Sequence, residues 1–228
     1  MLEYIGQNIR EIKRRIADAA ERAGRNPDEI TLVAVSKTHP VEQIKAAVDA
    51  GVTDLGESRV QEAVPKIQEL SKIARWHMIG HLQTNKVSKA VEYFDIVQSV
   101  DSMKLAEALN RSAESSGRKI DCLLEINSTG EEAKFGVAPG DVINCVERIN
   151  KLEHLNLCGV MTIGPYTDNE DEIRGVYKLT CNIFKEAKKI SGEGFTELSM
   201  GMSDDFEIAV EEGSTMVRVG TAIFGLRG

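Results

Sequence analysis

Eight short apolar, β-branched-rich runs recur along the chain, and each is followed by a stretch of helical periodicity. The runs are Thr31–Ser36, Thr53–Gly56, Arg75–Ile79, Ile96–Val100, Cys122–Ile126, Leu155–Thr162, Glu197–Met200 and Met216–Val219. Helices are expected between them over Pro40–Ala50, Ser58–Lys72, Asn85–Val91, Met103–Ser115, Asp141–Lys151, Glu170–Ile190 and Asp204–Glu211. The runs are continuous more than alternating, as strands buried on both faces of a parallel sheet must be. Strand–helix alternation with a count of eight predicts a (β/α)8 barrel, with an open doubly wound sheet as the alternative. The 228 residues suit one barrel, which takes ~200–250, so a single domain over residues 1–228 is expected. Leu2, Ile5, Ile9, Ile12, Ile16 and Ala19 recur at steps of three and four, which predicts an extra N-terminal helix. After strand eight too little chain remains for a full helix, and the N-terminal helix is expected to cover that gap in the outer ring.

A net charge of −8 counts against general nucleic-acid or anionic-membrane partners, but not against one anionic ligand in a local pocket. No apolar run approaches the ~18 residues of a membrane span, and the charged start MLEYIGQNIREIKRR lacks the apolar core of a secretion signal. Cys122, Cys145, Cys158 and Cys181 are widely spaced, which fits buried packing thiols in a reducing cytoplasm.

In a barrel, functional side chains sit at the C-terminal ends of the strands. Strand one ends on Ser36-Lys37, strand seven on Gly201-Met202-Ser203, and strand eight carries Arg218 and ends on Gly220-Thr221. The loops after strands seven and eight often hold phosphate in such folds. Ser203 is a candidate helix N-cap, and Ser203, Gly220 and Thr221 offer hydroxyls and close backbone approach to an anion. Asp204 and Asp205 would oppose an anion unless they point away. Lys37 is either a snorkelling surface residue or a pocket amine able to form a Schiff base. A phosphate site across the mouth then suits a sugar phosphate or pyridoxal 5′-phosphate (PLP). Arg218, amid apolar neighbours, needs a partner. That partner is either a barrel carboxylate such as Glu125 or a pyridine nitrogen, which a permanent donor would keep unprotonated. His77 and His81 lack a third ligand, so no metal is expected. The loop STGEEAKFGVAPG is long enough to be a lid, and Lys134 within it is expected to be exposed.

The motifs VAVSK, LGESRVQE, WHMIGHLQTNK, KFG, MTIGP, LSMGMSDD and VRVGTAIFG, in this order along nearly the whole chain, resemble the YggS/PROSC family, the PLP homeostasis proteins. The resemblance implies an alanine racemase-type PLP barrel. Lys37 would carry the internal aldimine, and Arg218 would face the pyridine nitrogen. Ser203, Gly220 and Thr221 would hold the phosphate, with Met202 and Ser58 also counted among the cofactor-binding residues. Ser58 stands where the family usually has asparagine, and a shorter hydroxyl there would reach the same contact through a water. The family is regarded as non-enzymatic, acting in PLP supply and vitamin B6 balance, with PLP-dependent apo-enzymes as possible recipients. Alanine racemase-type enzymes add a C-terminal β domain that supplies a catalytic tyrosine, whereas this sequence stops about ten residues after Arg218. A monomeric cytoplasmic carrier is therefore expected, with an amino-acid racemase-like PLP enzyme or a Schiff-base aldolase as alternatives.

Overall fold

A computed structural model of the chain describes residues 2–71 and 73–225. Its strands are β1 (Thr31–Val35), β2 (Asp54–Glu57), β3 (Arg75–Met78), β4 (Ile96–Val100), β5 (Ile120–Ile126), β6 (Leu155–Thr162), β7 (Glu197–Ser199) and β8 (Met216–Val219). They pair in sequence order, all parallel, and β8 returns to β1 to close the barrel. The expected (β/α)8 architecture is the one observed.

The outer helices are α2 (Val41–Asp49), α3 (Val60–Leu70), α4 (Val87–Tyr93), α5 (Met103–Ser115), α6 (Val142–Ile149), α7 (Glu170–Ser191), α8 (Phe206–Glu211) and a single turn, α9 (Thr221–Phe224). The N-terminal helix, α1 (Glu3–Arg22), buries Ile5, Ile9, Ile12, Ile16 and Ala19 on one face. It packs on α8, α2 and α9, filling the gap left by so short a final helix. Asn8 Nδ2 donates to Ile223 O at 2.9 Å, and Arg15 pairs with Glu207 at 2.5 Å.

Three helices, α3, α4 and α8, start two residues later than the sequence reading, α4 at Val87 instead of Asn85 because Thr84–Lys86 forms a 3-10 turn before it. Helix α3 begins at Val60, because Ser58 bends away from β2 and Arg59 is still extended; its expected end at Lys72 lies outside the described residues. Helix α8 begins at Phe206, not Asp204, and Ser203 is not its N-cap. The reason is Asp205. Its Oδ1 accepts from Met202 N at 2.6 Å and its Oδ2 from the Tyr177 hydroxyl at 2.7 Å, which ties residues 202–205 into a turn.

Side chains alternate across the barrel wall. Ile96, Leu123, Cys158 and Met161 form a cluster inside the barrel, apart from the larger core between strands and helices. Strand β6 keeps this alternation by an irregularity: Cys122 pairs with Leu157, yet Leu123 pairs with Gly159. A Cβ on Gly159 would lie 1.7 Å from Glu197 O, so only glycine lets β6 and β7 meet there. All four cysteines are buried and free, and burial raises the Cys158 thiol to about 12.

Candidate functional site

Val33, Val35 and Lys37 share the inward face of β1 and its extension, while Ser36 points outward. There Ser36 Oγ donates to Glu57 Oε1 at 2.7 Å. Lys66 Nζ, from α3, donates to Glu57 Oε1 at 2.8 Å and to Ser36 O at 2.9 Å. The peptide leading into Lys37 is thus pinned by a buried ion pair. The residue after it, Thr38, has φ +67°, a left-handed conformation that costs a β-branched residue ~1–3 kcal/mol. Lys37 itself is half-buried.

Lys37, Arg218, Ser203, Gly220, Thr221 and Met202 line one cavity of about 310 Å³ at the C-terminal end of the barrel, and Ser58 also lines it. Ser203 Oγ accepts from Gly220 N and Ala222 N, both at 3.4 Å, which ties the β7 and β8 loops together. Asp205 faces away from the cavity toward Tyr177, so only Asp204 of the acidic pair remains at its wall. Ser58 and Gly80 bring the ends of β2 and β3 into close approach: a Cβ on Gly80 would lie 2.4 Å from Ser58 O.

Arg218 is 4% exposed. Its Nη1 donates to Ser199 Oγ at 2.6 Å and its Nη2 to Thr162 O at 2.8 Å. Glu125 is not its ion-pair partner; among the described residues no carboxylate lies within 4.0 Å of the guanidinium. Burial, and then the charge of Asp101, raise the Glu125 carboxyl to about 7, against a lowering influence from Arg218.

Of the further residues at the cavity, His39 and Ile163 escape a sequence reading because they follow the strand ends, and Ile79, the last residue of the third run, escapes it because it is apolar. His39 stacks on Phe224 with centroids 4.6 Å apart and bonds Gln43 through Nδ1 at 2.8 Å. The long loop after β5 lies against the mouth. Its Phe135 stacks on His81 at 3.8 Å and 12°. Lys134, expected to be exposed, is instead half-buried and donates to Gly164 O at 3.0 Å. Among the described residues no cluster of side chains suits a metal. His77 is buried against Asp54 and Gln98, and His81 pairs with Asp101.

The donor set fits PLP: a primary amine, a permanent cation, hydroxyls and backbone N–H groups converge on one cavity. Its volume lies at the lower end of the ~300–1,000 Å³ typical of small-molecule sites. Comparison with known proteins agrees. The family of the alanine racemase N-terminal domain matches residues 7–228. The pyridoxal phosphate homeostasis protein of Haemophilus influenzae is 39% identical over 227 residues, covering 98% of this chain and 96% of its own. PipY of Synechococcus elongatus, solved with PLP bound, is 38% identical with a TM-score of 0.81, covering 92% of this chain and all of its own. Alanine racemase from Corynebacterium glutamicum shares the fold, with a TM-score of 0.75 at 18% identity, over 99% of this chain and 62% of its own. The chain belongs to the pyridoxal phosphate homeostasis protein family, built on the alanine racemase N-terminal-domain barrel.

Proposed function

We propose that this protein binds PLP and serves its homeostasis as a carrier without catalytic turnover. The observation that carries this reading is the convergence of Lys37, Arg218 and the Ser203 and Thr221 loops on one cavity. When bound, the cofactor supplies an aldehyde carbon that condenses with a primary amine and a ring that withdraws electrons best when its nitrogen is protonated. Lys37 is the amine, held on the inward face by the anchored Ser36 peptide. Arg218 would donate to the pyridine nitrogen and, as it never accepts, would keep that nitrogen unprotonated. Ser203, Gly220 and Thr221 would hold the phosphate, with Met202 beside Ser203 on the loop after β7 and Ser58, after β2, also at the cavity wall. A weak electron sink at an open mouth suits holding and release better than carbanion chemistry. PLP-dependent apo-enzymes are the proposed recipients and the protein acts as a monomer. A cytoplasmic location is supported by four free cysteines, and among the described residues no helix is long and apolar enough to cross a membrane.

Glu125 favours a second reading. A carboxyl raised by burial to about 7 inside the barrel has the proton affinity that general acid–base chemistry near neutral pH requires. Two assays separate the readings: restoration of activity to a PLP-free apo-enzyme, and exchange of an amino acid's α-proton with deuterated water. The carrier reading expects restoration without exchange. Exchange that disappears in Lys37→Ala or Glu125→Gln would establish the enzymatic one.

A further inference from the structure

Five buried side chains from five strands form one hydrogen-bonded chain through the barrel interior. Arg218 Nη1 on β8 donates to Ser199 Oγ on β7 at 2.6 Å, and Ser199 Oγ donates to Gln98 Oε1 on β4 at 2.7 Å. Gln98 Nε2 lies 2.7 Å from His77 Nδ1 on β3, and His77 Nε2 lies 2.9 Å from Asp54 Oδ1 on β2. Ser199, Gln98 and His77 are fully buried, and Asp54 is 8% exposed.

The bond directions follow from the Gln98 amide, whose Oε1 faces Ser199 and whose Nε2 faces His77. The Ser199 oxygen accepts from Arg218, and its single proton goes to the Gln98 carbonyl. The Gln98 amide then faces His77 Nδ1, which must accept. The remaining imidazole proton is on Nε2 and goes to the Asp54 carboxylate. The chain therefore runs from a buried cation, which among the described residues lacks a carboxylate within ion-pair reach, through β7, β4 and β3 to a buried anion on β2, and it closes only when His77 is neutral. The charges around His77 are Asp54 on β2 and Asp95 before β4, which favour the imidazolium, and Arg75 on its own strand, which opposes it; burial is the largest influence and lowers the imidazole below its ordinary value.

We infer that Ser199, Gln98, His77 and Asp54 are positioning residues for Arg218: this one-way donor chain fixes the guanidinium so that its free edge faces the cofactor's ring nitrogen. The first test needs no cofactor and so stands apart from the PLP reading. Nitrogen NMR of the cofactor-free protein should show His77 as the neutral Nε2–H tautomer throughout about pH 6–8, on either side of the ordinary histidine value. An Nδ1–H tautomer, or an imidazolium at neutral pH, overturns the chain. The second test rests on the PLP reading and uses Gln98→Glu and Ser199→Ala. The Gln98→Glu carboxylate can only accept, so His77 must take a proton on Nδ1. PLP affinity and absorption should then gain a pH dependence, tracking His77 by NMR, beyond any the natural protein shows. Ser199→Ala should weaken PLP binding roughly tenfold, about one hydrogen bond to a charged group, and shift the visible band. Variants that fold, yet keep the natural band and affinity at every pH, contradict the inference. A natural protein that binds no PLP would remove the cofactor reading, while the tautomer test would still decide the chain.

Discussion

Within the barrel, Ile96, Leu123, Cys158 and Met161 pack together with none more than 8% exposed, whereas the same eight strands enclose a cavity of about 310 Å³ beyond their C-terminal ends. The filled part holds this apolar cluster beside the buried polar chain, and Gly159 in it is required by backbone contact with β7. The hollow end is lined by an amine, hydroxyls and loop backbone, and carries strain at Thr38. The difference teaches that stability and binding are supplied by different layers of one barrel. Arg218 sits between them, lining the cavity while hydrogen-bonded into the interior. A set of substitutions can break or sharpen that division.

The largest expected effect is in the filled layer. Gly159→Ala drives a Cβ into backbone that cannot move aside, so it should cost about 3 kcal/mol or more, the upper end for overpacking. Denaturant midpoints measure this, and PLP stoichiometry of the folded fraction should not change; a selective loss of PLP would mean the layers are coupled through β6.

Next comes the boundary. Burial raises the Glu125 carboxyl from 4.5 to about 7, so the folded protein holds a proton that the unfolded chain releases. This contribution is fully present below 4.5 and is lost as pH rises through about 7. The loss is on the order of 3 kcal/mol, an upper bound from ~1.4 kcal/mol per pH unit. Glu125→Gln, which cannot ionise, should match the natural protein near pH 5 and exceed it in stability near pH 8, by unfolding titrations at both. An unchanged pH slope would place the source elsewhere.

In the hollow end, Thr221→Ala alters an exposed hydroxyl, so stability should hold within about 0.5 kcal/mol. PLP affinity, read by absorbance titration, should fall five- to tenfold, about one hydrogen bond. The smallest expected signal is from the thiols. All four are buried, so a thiol reagent should label none of them before unfolding, with PLP present or absent.

The barrel was legible in the sequence because parallel strands covered on both faces become apolar runs, and eight of them stand in regular alternation with helices. Lys37, Arg218, Ser203, Gly220 and Thr221 could be picked out as polar residues at strand ends, and the fold brings them to one cavity. The start of α8 was misread because Asp204-Asp205 looks like the acidic first turn of a helix, whereas the Asp205 carboxylate is committed to Met202 N and Tyr177. The interior chain left only a faint signal: Gln98 in IVQSV and Ser199 in ELS put polar groups at inward positions of buried strands. Their partners lie on strands distant in sequence, and only the closed register unites Asp54, His77, Gln98, Ser199 and Arg218.

Reduction of the PLP-loaded protein with borohydride, followed by peptide mapping, tests most directly whether Lys37 is the anchoring amine. The expected result is loss of the visible band with a pyridoxyl group on the peptide containing Lys37, and no such adduct in Lys37→Ala. A pyridoxyl group on Lys134 or another lysine in the natural protein, or an undiminished adduct in Lys37→Ala, contradicts it.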